Sequence, residues 1–135
     1  MAFILATPQG SRQIKNITAG AAVTLATGMI LTPVAGVLTI ATTTTAMNQP
    51  LYLYTGAAQT TTASTVVQLI ELFKNDELTV TGLSGNVSTT VGNRVTFAAG
   101  GLTVVQGTDV TAYTTPAPVT VNGFISATSA TVKIV

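Results

Sequence analysis

The chain has no cysteine, no histidine and no tryptophan among its 135 residues, and only nine side chains carry a charge. Without cysteine there is no disulfide framework, no thiol nucleophile and no thiolate metal site. The lack of histidine removes the commonest acid/base group near neutral pH, the commonest transition-metal ligand and any Ser-His triad. Charged residues make up 7% of the chain, against about 25% in an ordinary globular domain. Five scattered basic residues form no track for a phosphate backbone, which argues against a nucleic-acid binder.

Threonine and valine fill the space left by charge. The chain holds 28 threonines, 18 alanines, 16 valines and 12 glycines. Both β-branched types favour pleated, half-buried surfaces. With 47% apolar residues and a net charge of +1, the composition is the reverse of a disordered one. A designed soluble surface is about one-quarter to one-third charged. A surface this neutral is therefore expected to be covered by copies of the chain or by a larger body.

The charges are also unevenly placed. No charged residue lies between Lys15 and Glu71, a gap of 55 positions, and then Glu71, Lys74, Asp76 and Glu77 come together. Residues 17–41 are long enough to cross a bilayer. With Arg12 and Lys15 ahead of them, they also mimic a secretory signal or anchor. Seven threonine, glycine or proline residues dilute the first seventeen positions, and Pro33 stands in the middle. Two buried strands joined through Pro33-Val34-Ala35-Gly36 fit this pattern better, so no membrane span is expected.

Residues 1–16 lack sustained periodicity and read as an ordered first strand followed by a loop, as an N-terminal arm or as a frayed terminus, with a single β-rich domain over 17–135. Leu51-Tyr52-Leu53-Tyr54 alternates leucine and tyrosine across a short strand that begins after Pro50. Val66, Leu69, Ile70 and Phe73 recur at spacings of three and four, which predicts one helix near 62–74, although Thr65-Val66-Val67 favours a strand. From Leu78 onward short Val/Thr strands alternate with turn signals, including Val87–Val91, Leu102–Val105 and Val110–Tyr113. Asn122-Gly123 is the strongest hairpin signal. The expected fold is mainly β, a small sandwich or barrel-like domain with one short helix.

Chemistry is sparse. Thr81–Asn86 is glycine-rich but lacks the lysine and third glycine of a phosphate loop. Glu71, Asp76, Glu77 and Asp109 are the only carboxylates, and a glycosidase needs two of them about 5 to 10 Å apart across a cleft. The mixed signs of Glu71, Lys74, Asp76 and Glu77 read instead as the solvated end of the predicted helix. No enzyme activity, cofactor or metal is expected. Asn16-Ile17-Thr18 and Asn86-Val87-Ser88 match the glycan-acceptor triplet, a chance pattern in so threonine-rich a chain.

The compact, uncharged Gly/Ala/Val/Thr body, with the run GAAVTLATGMILTPVAGVLTIA and the later Gly-punctuated strands, resembles bacteriophage capsid decoration (cement) proteins. That resemblance implies a virion protein on the capsid surface, assembled as a homotrimer or sometimes a dimer. Such a protein binds the major capsid protein or another virion protein and stabilises the shell by contact. Tyr52, Tyr54, Val66, Ile70, Phe73, Arg12 and Lys15 are the candidate contact residues. Two other readings remain open. One is a tail, spike or fibre component binding a host glycan through Tyr52, Tyr54 or Tyr113. The other is a secreted or pilus-like surface subunit.

Overall fold

A computed structural model of the chain describes residues 1–6, 14–43, 45, 49–85, 87–106 and 118–135. The protein is mainly β, laid out as a sandwich with one short helix and no closed barrel. Strands β1 (Ala2–Leu5), β2 (Ile14–Thr18), β3 (Thr24–Leu25), β4 (Met29–Val34), β5 (Val37–Ile40), β6 (Leu51–Tyr54), β7 (Gln59–Thr60), β8 (Val66–Leu72) and β9 (Glu77–Thr81) precede the helix α1 (Val87–Thr90). Strands β10 (Arg94–Val95), β11 (Val119–Ser126) and β12 (Ser129–Ile134) follow it. The first sheet has the order β1-β9-β12-β11-β10 and the second β2-β8-β6-β4-β5; β3 and β7 form a separate two-stranded ribbon. All pairings are antiparallel.

The second sheet buries apolar side chains on both faces. Ile30, Leu51, Leu53, Ile70 and Leu72 meet Phe3, Leu78, Val80, Val121 and Val132 of the first sheet in the main core. On the other face Met29, Leu31, Leu38, Tyr54, Val67 and Leu69 form a second core with Ala19 and Leu25. The sheet coils around this second core until the Leu38 N–H, on β5, donates to the Ala19 carbonyl just past β2 (2.9 Å).

This double burial explains the main departure from expectation. Residues 62–74 are not a helix, because Val66–Leu72 is a strand paired with both β2 and β6. Val67 and Leu69 serve one core while Ile70 and Leu72 serve the other. A strand with apolar residues on both faces imitates a helical stripe. The helix lies instead at Val87–Thr90, where alternation suggested a strand.

Of the readings of residues 1–16, the structure has the ordered first strand at Ala2–Leu5. Ala2–Leu5 pairs with β9 and Ile14–Thr18 with β8, so both flanks of the segment are built into the sheets. Phe3 is 2% exposed and packs edge to face on Phe97, ring centroids 5.8 Å apart. Its N–H donates to the Gly28 carbonyl (2.9 Å), tying β1 to the second sheet. Gly28 has φ +85°, and a Cβ there would stand 2.5 Å from that of Ala2.

The β4–β5 hairpin follows the expected break. Ala35 and Gly36 both have positive φ, 51° and 79°, as a two-residue hairpin turn matched to strand twist requires. Pro33 faces Leu38, whose N–H points away to Ala19, so this is a pair without ladder hydrogen bonds. The missing proline donor is thus directed beyond the end of β6 and breaks no bond. Asn122-Gly123, by contrast, is no hairpin turn. The β11–β12 register runs on to Ser126↔Ser129, and Gly123 marks a shift in pairing within β11. Leu102–Val105 runs antiparallel to residues 96–98 through the Phe97↔Val104 bridge, flanked by the Ala98 N–H donating to the Thr103 carbonyl (2.9 Å) and the Val105 N–H to the Thr96 carbonyl (3.0 Å), and Val110–Tyr113 lies outside the described residues.

Threonine hydroxyls stitch the turns. Buried Thr61 donates to the Ala21 carbonyl (2.8 Å) and accepts from the Val23 N–H (2.9 Å), while Thr32 donates to the Pro50 carbonyl (2.7 Å). Each such bond contributes about 0.5–1.5 kcal/mol net. No helix among the described residues is long and apolar enough to cross a membrane.

Phe97→Ala should cost about 3–5 kcal/mol because it empties the centre of the main core. Exposed Phe124→Ala should stay within about 0.5 kcal/mol in the isolated subunit. Urea-midpoint shifts at constant m-value check both.

Candidate functional site

Strand alternation places Val66, Gln68, Ile70 and Leu72 on the face of β8 directed toward the first sheet. That sheet covers only part of the row: Ile70 and Leu72 are buried, whereas Val66 is 59% exposed. Ile14 pairs with Ile70 on the edge strand β2 and is 64% exposed. On the facing edge, β1 presents Ile4 at 56% exposure. A groove therefore runs along the open side of the sandwich, floored by β8 and β6 and walled by β1.

Three adjoining hollows of about 300, 260 and 240 Å³ make up this groove, and Thr55 lines all three. The 240 Å³ hollow is the most apolar in character, set among Phe3, Ile4, Leu5, Leu53 and Ile70. The 260 Å³ hollow is more polar, with Gln59, Gln68, Thr55 and Tyr54 around it. Among the described residues no charged side chain lines any of them. The groove's described residues offer apolar contact and neutral hydrogen bonding.

Of the candidate contact residues, Val66 and Ile70 lie in this groove. Tyr54 is only 3% exposed; its hydroxyl donates to the Ala57 carbonyl and accepts from Gln59 Nε2 (2.9 Å). Tyr52 is half-buried beside the second core. Neither ring is an open platform for a sugar, and Tyr113 lies outside the described residues. The two tyrosines finish the inside of the second sheet, which is what their alternation with Leu51 and Leu53 requires. Lys15 forms an ion pair with Glu71 (3.6 Å) across β2 and β8. It is a surface pair worth about 0.2–1 kcal/mol. Phe73 is 51% exposed at the turn leaving β8. Arg12 lies outside the described residues.

None of the three described carboxylates lines the groove. Asp76 is 6% exposed, and its Oδ2 accepts from the Phe73 N–H (2.7 Å), closing the turn that carries the chain from the second sheet to the first. Asn75, within that turn, has φ +72°. Glu77 accepts from Asn122 Nδ2 (3.4 Å) on the first sheet, whereas Glu71 belongs to the second. Asp109 falls outside the described residues, among which no three metal-ligating side chains converge. The glycine-rich loop after β9 is held by Gln106, whose Oε1 accepts from both the N–H and the hydroxyl of Ser84 (2.9 Å each). Asn16 of the first glycan-acceptor triplet sits on edge strand β2, and Asn86 of the second is not described.

Sequence reasoning missed Ile4, Ile14, Phe124 and Ile125, all at least half exposed. Nothing in their local pattern separates them from core residues, because their exposure follows from where each strand sits in its sheet.

No family model, no curated protein and no solved structure matches this chain.

Tyr54→Phe should destabilise the protein by about 1–3 kcal/mol, since it leaves the Ala57 carbonyl and the Gln59 amide without their partner. Asp76→Ala should cost a similar amount by orphaning the Phe73 N–H. Lys15→Ala should shift the thermal midpoint by less than a third as much, and the shift should shrink further in high salt.

Proposed function

We propose that this chain is a non-enzymatic structural protein of a virion. On this reading it is a capsid decoration, or cement, subunit that oligomerises and stabilises the shell by surface contact. One observation carries the reading: a nearly uncharged β-sandwich leaves large apolar side chains, Ile4, Ile14 and Val66 among them, exposed around one groove. Contiguous apolar surface of this kind marks an interaction site. Burying it releases about 25 cal/mol per Å², so stabilisation grows with the area covered.

The partners under this reading are other copies of the chain, with a trimer as the favoured state, and the major capsid protein or another virion protein. A glycosidase would need two carboxylates across a cleft, and none of the described carboxylates lines the groove. A glycan-binding fibre role loses the paired tyrosine platform it would need.

Light scattering of the purified protein should give an oligomer. Incubation with undecorated viral shells should produce a co-sedimenting complex and raise the temperature at which the shells rupture. A monomer that leaves shell stability unchanged overturns the proposal.

A further inference from the structure

One line of cross-strand neighbours crosses the first sheet at a single level: Phe3 on β1, Val80 on β9, Ala130 on β12 and Phe124 on β11. Its two ends differ in shape. At the β1 end lies the 240 Å³ apolar hollow beside Ile4. At the β11 end, the outer strand β10 and the residues just before it reach only Val119, Thr120 and Val121, and among the described residues β11 has no outer neighbour beyond that point. Phe124 and Ile125 stand out from this free edge at 58% and 50% exposure. The pairing passes from Phe124↔Ala130 to Ser126↔Ser129, leaving Ile125 without a cross-strand partner. Such a bulge re-aims side chains and resists simple edge-to-edge pairing.

We infer that the groove beside β1 receives Phe124 and Ile125 of a second copy, so that copies join head to tail along this line. The inference rests on the assembly reading above and specifies its geometry. Three observations select this occupant. The hollow is large enough, since an apolar cavity of about 150 Å³ already accepts benzene. No described residue of the hollow and neither Phe124 nor Ile125 is charged, so closing the contact strands no ion of theirs away from water. The two features also occupy opposite edges of one sheet, three strand spacings or about 14 Å apart. One chain cannot fill its own groove, and two copies aligned along this line make one contact and leave one knob and one groove free. The contact is heterologous, and it adds subunits until the rotation closes a ring.

Complementation between two variants tests this. Phe124→Ser combined with Ile125→Ser removes the knob and leaves the groove. Ile4→Glu places a charge at the groove and leaves the knob. All three positions are exposed, and circular dichroism with a thermal melt confirms folding. By light scattering, wild-type protein should contain more than two chains. Each variant alone should associate at least about tenfold more weakly, and their equimolar mixture should yield a two-chain species that grows no further. A wild-type assembly that both variants reproduce overturns this geometry while leaving the assembly reading intact. A wild-type dimer, or a mixture that stays single-chain, also overturns it. Loss of shell binding in a wild-type protein that still forms rings counts against the capsid role and leaves the head-to-tail contact standing.

Discussion

The second sheet is apolar on both faces, and the rest of the structure follows from covering it. Its β6 and β8 strands send Leu51, Leu53, Ile70 and Leu72 toward the first sheet, and Tyr54, Val67 and Leu69 toward the β3–β7 side. Leaving either face in water would forfeit about 1.5–3 kcal/mol per large side chain. One face is closed by the β1-β9-β12-β11-β10 sheet. The other is closed by the sheet's own coiling and by Ala19, Leu25 and the residues near them. The cover over the first face stops short of Val66 and Ile14, and that shortfall is the groove. Site and fold thus share one cause.

The same double burial sets how much could be read from the residues. Where one face of a strand differs clearly from the other, as in Leu51–Tyr54, alternation is plain and the strand is legible. The β4–β5 turn was also foreseen, because glycine after a Pro-Val-Ala run leaves few conformations open. Val66–Leu72 was misread because apolar side chains needed on two faces of a strand fall at the spacings of one helical face. Asn122-Gly123 was misread for another reason. Its local preference for a tight turn is overridden by β12, whose pairing carries β11 past that point to Ser126.

Within the groove, Val66 and Ile70 were identified from apolar periodicity, though for the wrong element. Ile4, Ile14, Phe124 and Ile125 were not, because strand order is a long-range property. A residue four positions from one end of the chain becomes a groove wall only through pairing with residues 78–81. The tyrosines show the converse. They looked available because they alternate with leucines, but the sheet has no outward face at Tyr54.

The place of β12 has a consequence for how the molecule comes into being. Residues 129–134 form an inner strand of the first sheet, lying between β9 and β11. Until they arrive, β9 and β1 are parted from β11 and β10, and the inner face of the second sheet has no complete lid. The second sheet draws its strands from residues 14–72 and can pair much earlier. A growing chain therefore carries a preformed sheet with one apolar face bare, and final closure waits on contacts far apart in sequence, which are slow to form. For as long as that wait lasts, neighbouring nascent chains are the nearest alternative cover. The order of synthesis thus exposes this protein to premature association, and the scarcity of charge leaves little repulsion to delay it.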